Sequence, residues 1–336
     1  MTYDTREPLA TFGDLTPDIV IDVTERALGR RMTNLCRALN SYINRVFELQ
    51  AEDGTWVIAK FYRPGRWSAE ALQDEHDFLT ELAEHELPVI PPLELSQGHT
   101  LGRHRGMYFA LFPKKLGRAC DEPSMEEWEA LGRLIAQMHN IGERHGVRDR
   151  ITIAPRRSTE ANIAAILRAN VLPRDMRTEY ERVAHELVEL IAPMFEGAEM
   201  IRVHGDLHRA NIVYRPGESF FLIDFDDMAI GPPVHDLWML LPDYGRKSLL
   251  EIDLFLEGYT TFRSFKRSAL KLIEPLRAMR YIYFTSWCAM QVADGGFARV
   301  APGFGTSTYW RGEINDLRKQ YEEIILSREA FWGFGA

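Results

Sequence analysis

The stretch Val203 to Tyr214, VHGDLHRANIVY, constrains this 336-residue chain more than any other. Two histidines, an aspartate, an arginine and an asparagine stand between Val203 and the apolar pair Ile212-Val213. Polar side chains held against apolar ones cost free energy unless each finds a partner. His204, Asp206, His208 and Asn211 therefore need a network or a ligand. After Asn211, the segment IVY, a Pro216-Gly217 turn and FFLID read as a hairpin whose second arm ends at Asp224. A hairpin brings its ends together, so Asp206, Asn211 and Asp224 are expected to converge. Two carboxylates and an amide oxygen are hard ligands, suited to Mg2+ and poor for zinc. Magnesium held this way, with waters and phosphates completing its shell, points to phosphoryl transfer.

Upstream, residues 46–62 read as another hairpin: VFEL, an Asp53-Gly54 turn and TWVIAKFY. Alternation along the second arm puts Trp56, Ile58, Lys60 and Tyr62 on one face. Residues 68–87 read as a helix with Ser68 as N-cap, and Glu75 falls within its stripe of Leu72, Leu79 and Leu82. MYFALFP (107–113) reads as a buried strand, and a lobe boundary is placed after it. At 336 residues the chain exceeds what one core usually serves, so two lobes are expected, 1–113 and 114–336. Beyond the boundary, 125–142 carries Trp128, Leu131, Ile135 and Met138 at helical spacing. Further helices are expected within 158–196 and 234–330. GRHRG (102–106) reads as a solvated turn, and YIYFTSWCAM (281–290) as part of a buried helix.

Composition narrows the classes of function. A formal charge of −9 argues against a large phosphate-binding surface, so no nucleic-acid partner is expected. No apolar run reaches the ~18 residues of a spanning helix, so no membrane partner is expected. The start, MTYDTREPLATF, lacks the apolar core of a signal peptide. Cys36, Cys120 and Cys288 are scattered and odd in number, which suggests a reducing cytosol and a cytoplasmic protein.

The spacing sharpens the chemistry. Protein kinases carry H-R-D-x-x-x-x-N, in which the Asp accepts the substrate hydroxyl proton and the Asn holds metal. His204-Gly205-Asp206 followed by Asn211 has the same gap, and Asp224-Phe225 stands where kinases place Asp-Phe-Gly. Lys60, with Glu75 on the following helix, repeats the Lys–Glu pair that grips nucleotide phosphates.

HGDLHRANIVY followed by FLIDFDD resembles the aminoglycoside phosphotransferase and choline kinase group, which has a protein-kinase-like fold. LNSYINRVFEL, VIAKFYRPGRWSAE, HGDLHRANI, HDLWMLL and IEPLRAMR are similar to the bacterial stress response kinase A family, over roughly residues 10 to 325. The resemblance implies a bilobal α+β fold: a small antiparallel-sheet nucleotide-binding lobe with one long helix, and a larger, mostly helical catalytic and substrate lobe containing the catalytic-loop hairpin. It implies ATP- and Mg2+-dependent phosphorylation of serine or threonine in proteins, with autophosphorylation, by a cytoplasmic enzyme expected to be a monomer. It also implies a protective role in stress, linked to toxin–antitoxin-triggered death. By residue, it implies Asp206 as catalytic base, Asn211 and Asp224 as Mg2+ ligands, and Lys60 on the α/β-phosphates, oriented by Glu75. Ser41 would sit in the loop over the phosphates and is the family's candidate for autophosphorylation. Asp236 would brace the catalytic loop.

The chain departs from the kinase pattern in three places. The loop over the phosphates has no G-x-G-x-x-G, so it must use the amides of Asn40 to Arg45 and the Ser41 hydroxyl. The metal motif reads Asp-Phe-Asp, and Asp226 and Asp227 read most simply as turn residues. Only eight residues separate Asp227 from Asp236, too few for a long activation loop. Three rival functions stand beside the protein kinase. One is a small-molecule kinase acting on an amino alcohol, sugar or aminoglycoside. Another is a hydrolase with a transition metal on His204, His208, His235 and Asp236. The last is a silent kinase-shaped binding module.

Overall fold

The computed structural model describes residues 12–120, 122–215, 220–292 and 297–332. The fold is α+β and divides into two compact units that exchange segments of chain. The first takes in the described residues up to Cys120, then 147–150 and 210–226; the second holds the rest.

The first unit opens with α1 (Pro17–Leu28), capped by the Thr16 hydroxyl and ended by Gly29 at φ 63°. Five antiparallel strands follow: β1 (Met32–Leu39), β2 (Arg45–Ala51), β3 (Trp56–Phe61), β4 (Gly102–His104) and β5 (Met107–Pro113), in the order β1-β2-β3-β5-β4. Between β3 and β4 runs α2 (Ala69–Glu84), capped by Ser68 as expected. Each face of the sheet has its own core. Val57, Ala59 and Phe61 pack with Phe47, Phe109 and the α1 residues Val20 and Val23. On the other face, Tyr62 and Ala110 pack with Leu72 of α2.

A smaller antiparallel sheet joins Arg118–Ala119, Ile212–Tyr214 and Phe220–Leu222, the last two in the register Ile212 to Leu222. These are the arms of the expected catalytic-loop hairpin; its Pro216-Gly217 turn lies outside the described residues. GRHRG is not all turn. Gly102–His104 is an edge strand on β5, and only Arg105 and Gly106 turn, both at positive φ.

The second unit is mostly helical. It contains α3 (Met125–Gly142), α4 (Glu160–Arg168), α5 (Arg174–Ile191), α6 (Val234–Trp238), α7 (Leu249–Tyr259), α8 (Ile273–Gln291), α9 (Phe297–Val300) and α10 (Ser307–Trp332). A short antiparallel pair, Ile201–Val203 with Ala229–Gly231, sits among them. The bounds of α3 match the apolar spacing, and a Ser124–Glu127 capping box opens it. The run 281–290 does lie in α8, but it is not buried all round: Phe284 and Met290 face solvent.

Helices α3 and α7 meet closely because glycines face the contact. A Cβ on Gly258 would overlap the Glu129 carbonyl, and one on Gly132 would overlap the Phe255 carbonyl. Backbone cannot yield as a flexible side chain does. Gly258→Ala is therefore expected to destabilise the protein by about 2–3 kcal/mol through forced separation of the helices. Chemical denaturation checks this, and a loss below about 0.5 kcal/mol would contradict the close packing.

Candidate active site

In the first unit, the β3 alternation delivers Lys60 to the face opposite Val57 and Phe61. Its Nζ lies 2.9 Å from Asp224 Oδ1, 3.4 Å from Asp226 Oδ1 and 3.8 Å from Glu75 Oε1. The Lys60 side chain is 11% exposed and that of Glu75 1%, whereas that of Asp224 is 53% exposed. Burying an ammonium is tolerable only with such partners. Burial opposes its charge, but Asp224, Asp226 and Glu75 outweigh that and hold the Lys60 pKa well above the usual lysine value.

Two further arginines complete the cluster. Arg150, its side chain wholly buried, donates to Glu75 Oε2 at 3.0 Å, to the Ala71 carbonyl at 2.6 Å and to the Asp226 carbonyl at 2.5 Å. Its guanidinium lies 4.4 Å from the centre of the Trp67 ring. Arg66 pairs with Asp226 Oδ2, which also accepts from Asn44 Nδ2 at 3.2 Å. Burial pushes the Asp226 carboxyl up, but Lys60, Arg66 and Arg150 bring it down to about 2. Glu75 goes the other way: its burial dominates and raises its pKa despite Lys60 and Arg150.

A cleft of about 1060 Å³, open to solvent, is lined by Ser41, Ile58, Lys60, Glu75, Phe112 and Asp224 among others. Asp224 enters it from a left-handed backbone conformation, φ 62°. Asn211 is buried, and its carbonyl accepts from Ile223 N at 3.0 Å, which sets it beside the residue preceding Asp224. Lys60, Glu75, Ser41, Asn211 and Asp224 thus all belong to the first unit; Asp206 belongs to the second.

In the second unit, the loop carrying Asp206 is held by a remote carboxylate. Asp236, fully buried on α6, accepts from the amides of His204 at 2.8 Å and Gly205 at 3.1 Å and is 3.0 Å from His139 Nε2. Burial opposes its ionisation, but the hydrogen bond and charge of His139 and the nearby histidines keep its pKa below the ordinary value. His235 Nε2 donates to the Gly205 carbonyl at 3.0 Å, and burial lowers the pKa of this histidine. Gly205 sits at φ 82° with the Asp227 carbonyl where a Cβ would be, so only glycine fits. His204 Nδ1 accepts from the Asp206 amide at 3.3 Å. The Asp206 carboxylate is then met by Arg280 at 2.6 Å and by His208 at 3.5 Å. Among the described residues, no group of three or more His, Cys, Asp or Glu is arranged to hold a metal. His235 and Asp236 are occupied with the backbone of residues 204 and 205, which leaves the hydrolase reading without its dyad.

Residues 35–272 match the model of the phosphotransferase enzyme family. The chain belongs to that family. It is accordingly a phosphotransferase, and its relatives include kinases. Stress response kinase A of Escherichia coli K12 is 35% identical over 308 residues, which cover 89% of this chain and 90% of the relative. The serine/threonine protein kinase RdoA of Salmonella typhimurium is 31% identical over 311 residues, 92% of this chain and 94% of the relative. Among solved structures, an amicoumacin kinase in complex with AMP-PNP, Ca2+ and Ami has a TM-score of 0.70 at 19% identity, covering 89% of this chain and 93% of that one. A spectinomycin phosphotransferase with ADP and spectinomycin has a TM-score of 0.65 at 14% identity, covering 92% and 99%. These two share the family's kinase-like fold with this chain.

The sequence reading assigned no side-chain role to Asn44, Arg66, Arg150 or Arg280. Each pairs with a residue more than seventy positions away. The one available signal was a charged residue inside an apolar segment, as with Arg280 after IEPLRAM.

The acid response of the first unit follows from Asp226. Its folded pKa of about 2 lies below its ordinary 3.8, so its stabilisation is full above about pH 4 and is lost as pH falls toward 2. Asp226→Asn is expected to lower stability at pH 7 and to flatten the stability–pH curve between pH 4 and 2. Urea denaturation across that range measures it; an unchanged slope would show that the carboxylate is not held by its cations.

Proposed function

We propose that this phosphotransferase moves the γ-phosphoryl group of ATP to serine or threonine hydroxyls of proteins, with Mg2+, and also phosphorylates itself. The observation that carries this reading is Lys60, held against Asp224, Asp226 and Glu75 on the wall of an open cleft. The protein acceptor is supported by the names of relatives aligned over about nine-tenths of the chain. The name of the first relative supports a role in stress; that the enzyme is a cytoplasmic monomer protecting against toxin–antitoxin-linked death rests on the motif resemblance alone. Residues 1–113 serve nucleotide binding, and 114–336 serve catalysis and the acceptor.

The chain's own groups supply positioning and charge. Lys60, charged throughout the physiological range, offsets the α/β-phosphates. Glu75, fixed by Arg150, keeps the ammonium aimed. Backbone amides of Asn40 to Arg45 and the Ser41 hydroxyl cover the phosphates. Asn211 and the half-exposed Asp224 offer hard oxygen donors, a set that fits Mg2+ and would hold it. Mg2+ there would neutralise charge on the transferred and leaving phosphates. Asp206 orients the acceptor hydroxyl and takes its proton as the new O–P bond forms and the bond to the ADP oxygen breaks.

The rival acceptor is a small alcohol, because the solved amicoumacin and spectinomycin enzymes act on small molecules with this fold. Labelled Mg-ATP supplied with a generic protein acceptor, beside a panel of amino alcohols, sugars and aminoglycosides, separates the two. Label is expected in protein, with phosphosites mapped on Ser or Thr; label in the small alcohols alone would overturn the protein acceptor. Asp206→Asn is expected to lower kcat by roughly 10²–10⁴-fold. Asp224→Ala is expected to abolish Mg2+-dependent turnover. Near-normal rates in either variant would reject that residue's role.

A further inference from the structure

Helix α8 is largely apolar on its buried side, where Leu276, Met279 and Ile282 are covered. From it, Arg280 Nη2 donates to Asp206 Oδ1 at 2.6 Å. Tyr283, one turn later on the same face, supports the guanidinium, whose carbon lies 5.0 Å from the ring centre. The Tyr283 hydroxyl donates to Asp227 Oδ1 at 3.1 Å. One face of α8 thus touches two loop carboxylates of the second unit. Gly205, Asp227, Leu276, Arg280 and Tyr283 line a solvent-open cleft of about 480 Å³.

We infer that Arg280 is a positioning residue for Asp206: it ties Oδ1 and turns Oδ2, the oxygen near His208, to the acceptor hydroxyl. This rests on Asp206 being the base. Among the groups that face Asp206 are His204 and His208 from its own loop and Arg280 from α8, and His235 of α6, Asp227 and Tyr283 line the cleft beside Arg280. Burial raises the Asp206 pKa, but the His208 hydrogen bond and Arg280 outweigh it and set the carboxyl below its ordinary value. The guanidinium therefore keeps the base charged as well as aimed.

The test uses the full chain with Arg280→Met, Arg280→Lys and Tyr283→Phe. Arg280→Met is expected to cut kcat roughly 10–100-fold while the KM for ATP stays within about twofold. The acid limb of its kcat–pH profile should move to higher pH, because loss of the cation raises the Asp206 pKa. Arg280→Lys should keep the limb near its original place and recover part of kcat, since it restores charge without the planar fork. Tyr283→Phe, which keeps the ring, should leave the limb unmoved. Carbon-13 titration of the Asp206 carboxyl, assigned with Asp206→Asn, reads the same shift without turnover. An unmoved carboxyl titration in a folded Arg280→Met protein overturns the inference. Should that variant not fold, a kcat in Arg280→Lys equal to wild type overturns it instead. If the wild type transfers no phosphate, the reading of function fails, and the carboxyl titration still decides whether Arg280 governs Asp206.

Discussion

The first unit is organised around the cost of burying the Lys60 ammonium. An isolated charge at such a place would be lost to deprotonation or would unfold its surroundings. The chain answers with a balanced set: Lys60, Arg66 and Arg150 against Glu75, Asp224 and Asp226. Such a set is rarely more stable than an apolar core of equal volume. Its members come from β3, the segment after it, α2, the Arg150 segment and the end of the hairpin. Ionic contacts therefore fix the mutual placement of five pieces of chain. Glu75 and Asp226 are sealed, and the Asp224 carboxylate is half open to the cleft. The network has its exposed end at the cleft and its anchoring end in the interior.

The polar residues between Val203 and Ile212 divide by the same logic. His204 is wholly buried and accepts a backbone hydrogen bond; it is part of the loop's internal wiring. Asp236 takes the amides of residues 204 and 205, so a loop with no regular structure still satisfies its buried backbone. That support lets Gly205 hold a conformation barred to other residues. Rigidity at 204 and 205 is what makes a defined direction for the next side chain possible.

Local rules made much of this legible. Ser68 announced α2, apolar spacing announced α3, and alternation placed Lys60 with Ile58 on the face that lines the cleft. The hairpin argument expected Asp206, Asn211 and Asp224 to converge; the Ile223–Asn211 hydrogen bond closes the hairpin at Asn211, while Asp206 belongs to the second unit. The reading named no element before residue 46, although Thr16, Pro17 and Gly29 carry the start and stop signals of α1. β1 is harder to find: it is mostly exposed and its register shifts between Met32 and Cys36, so its apolar residues do not alternate. The arginine partners lay beyond reach because nothing local fixes where a long cationic side chain ends. Position 150 meets α2 through the fold alone, and position 280 meets the Asp206 loop in the same way.

The departure from Asp-Phe-Gly also has a physical account. A glycine in such a motif is needed where the backbone must turn left-handed or approach another chain closely. Here the left-handed residue is Asp224, a type that tolerates this conformation better than most, and Asp226 is not among the described residues with positive φ. Phe225 is buried against Phe78 of α2, at 5.8 Å between ring centres, so the middle residue anchors the segment. The third position is then free to carry a side chain, and its carboxylate meets Lys60, Arg66 and Asn44. A glycine there would remove the counter-charge of two buried or half-buried cations without relieving any backbone strain. The aspartate is what the cation-rich surroundings of this chain require. Shortly after it, Ala229–Gly231 pairs with Ile201–Val203 and α6 begins at Val234, so few residues separate Asp226 from Asp236 along the chain.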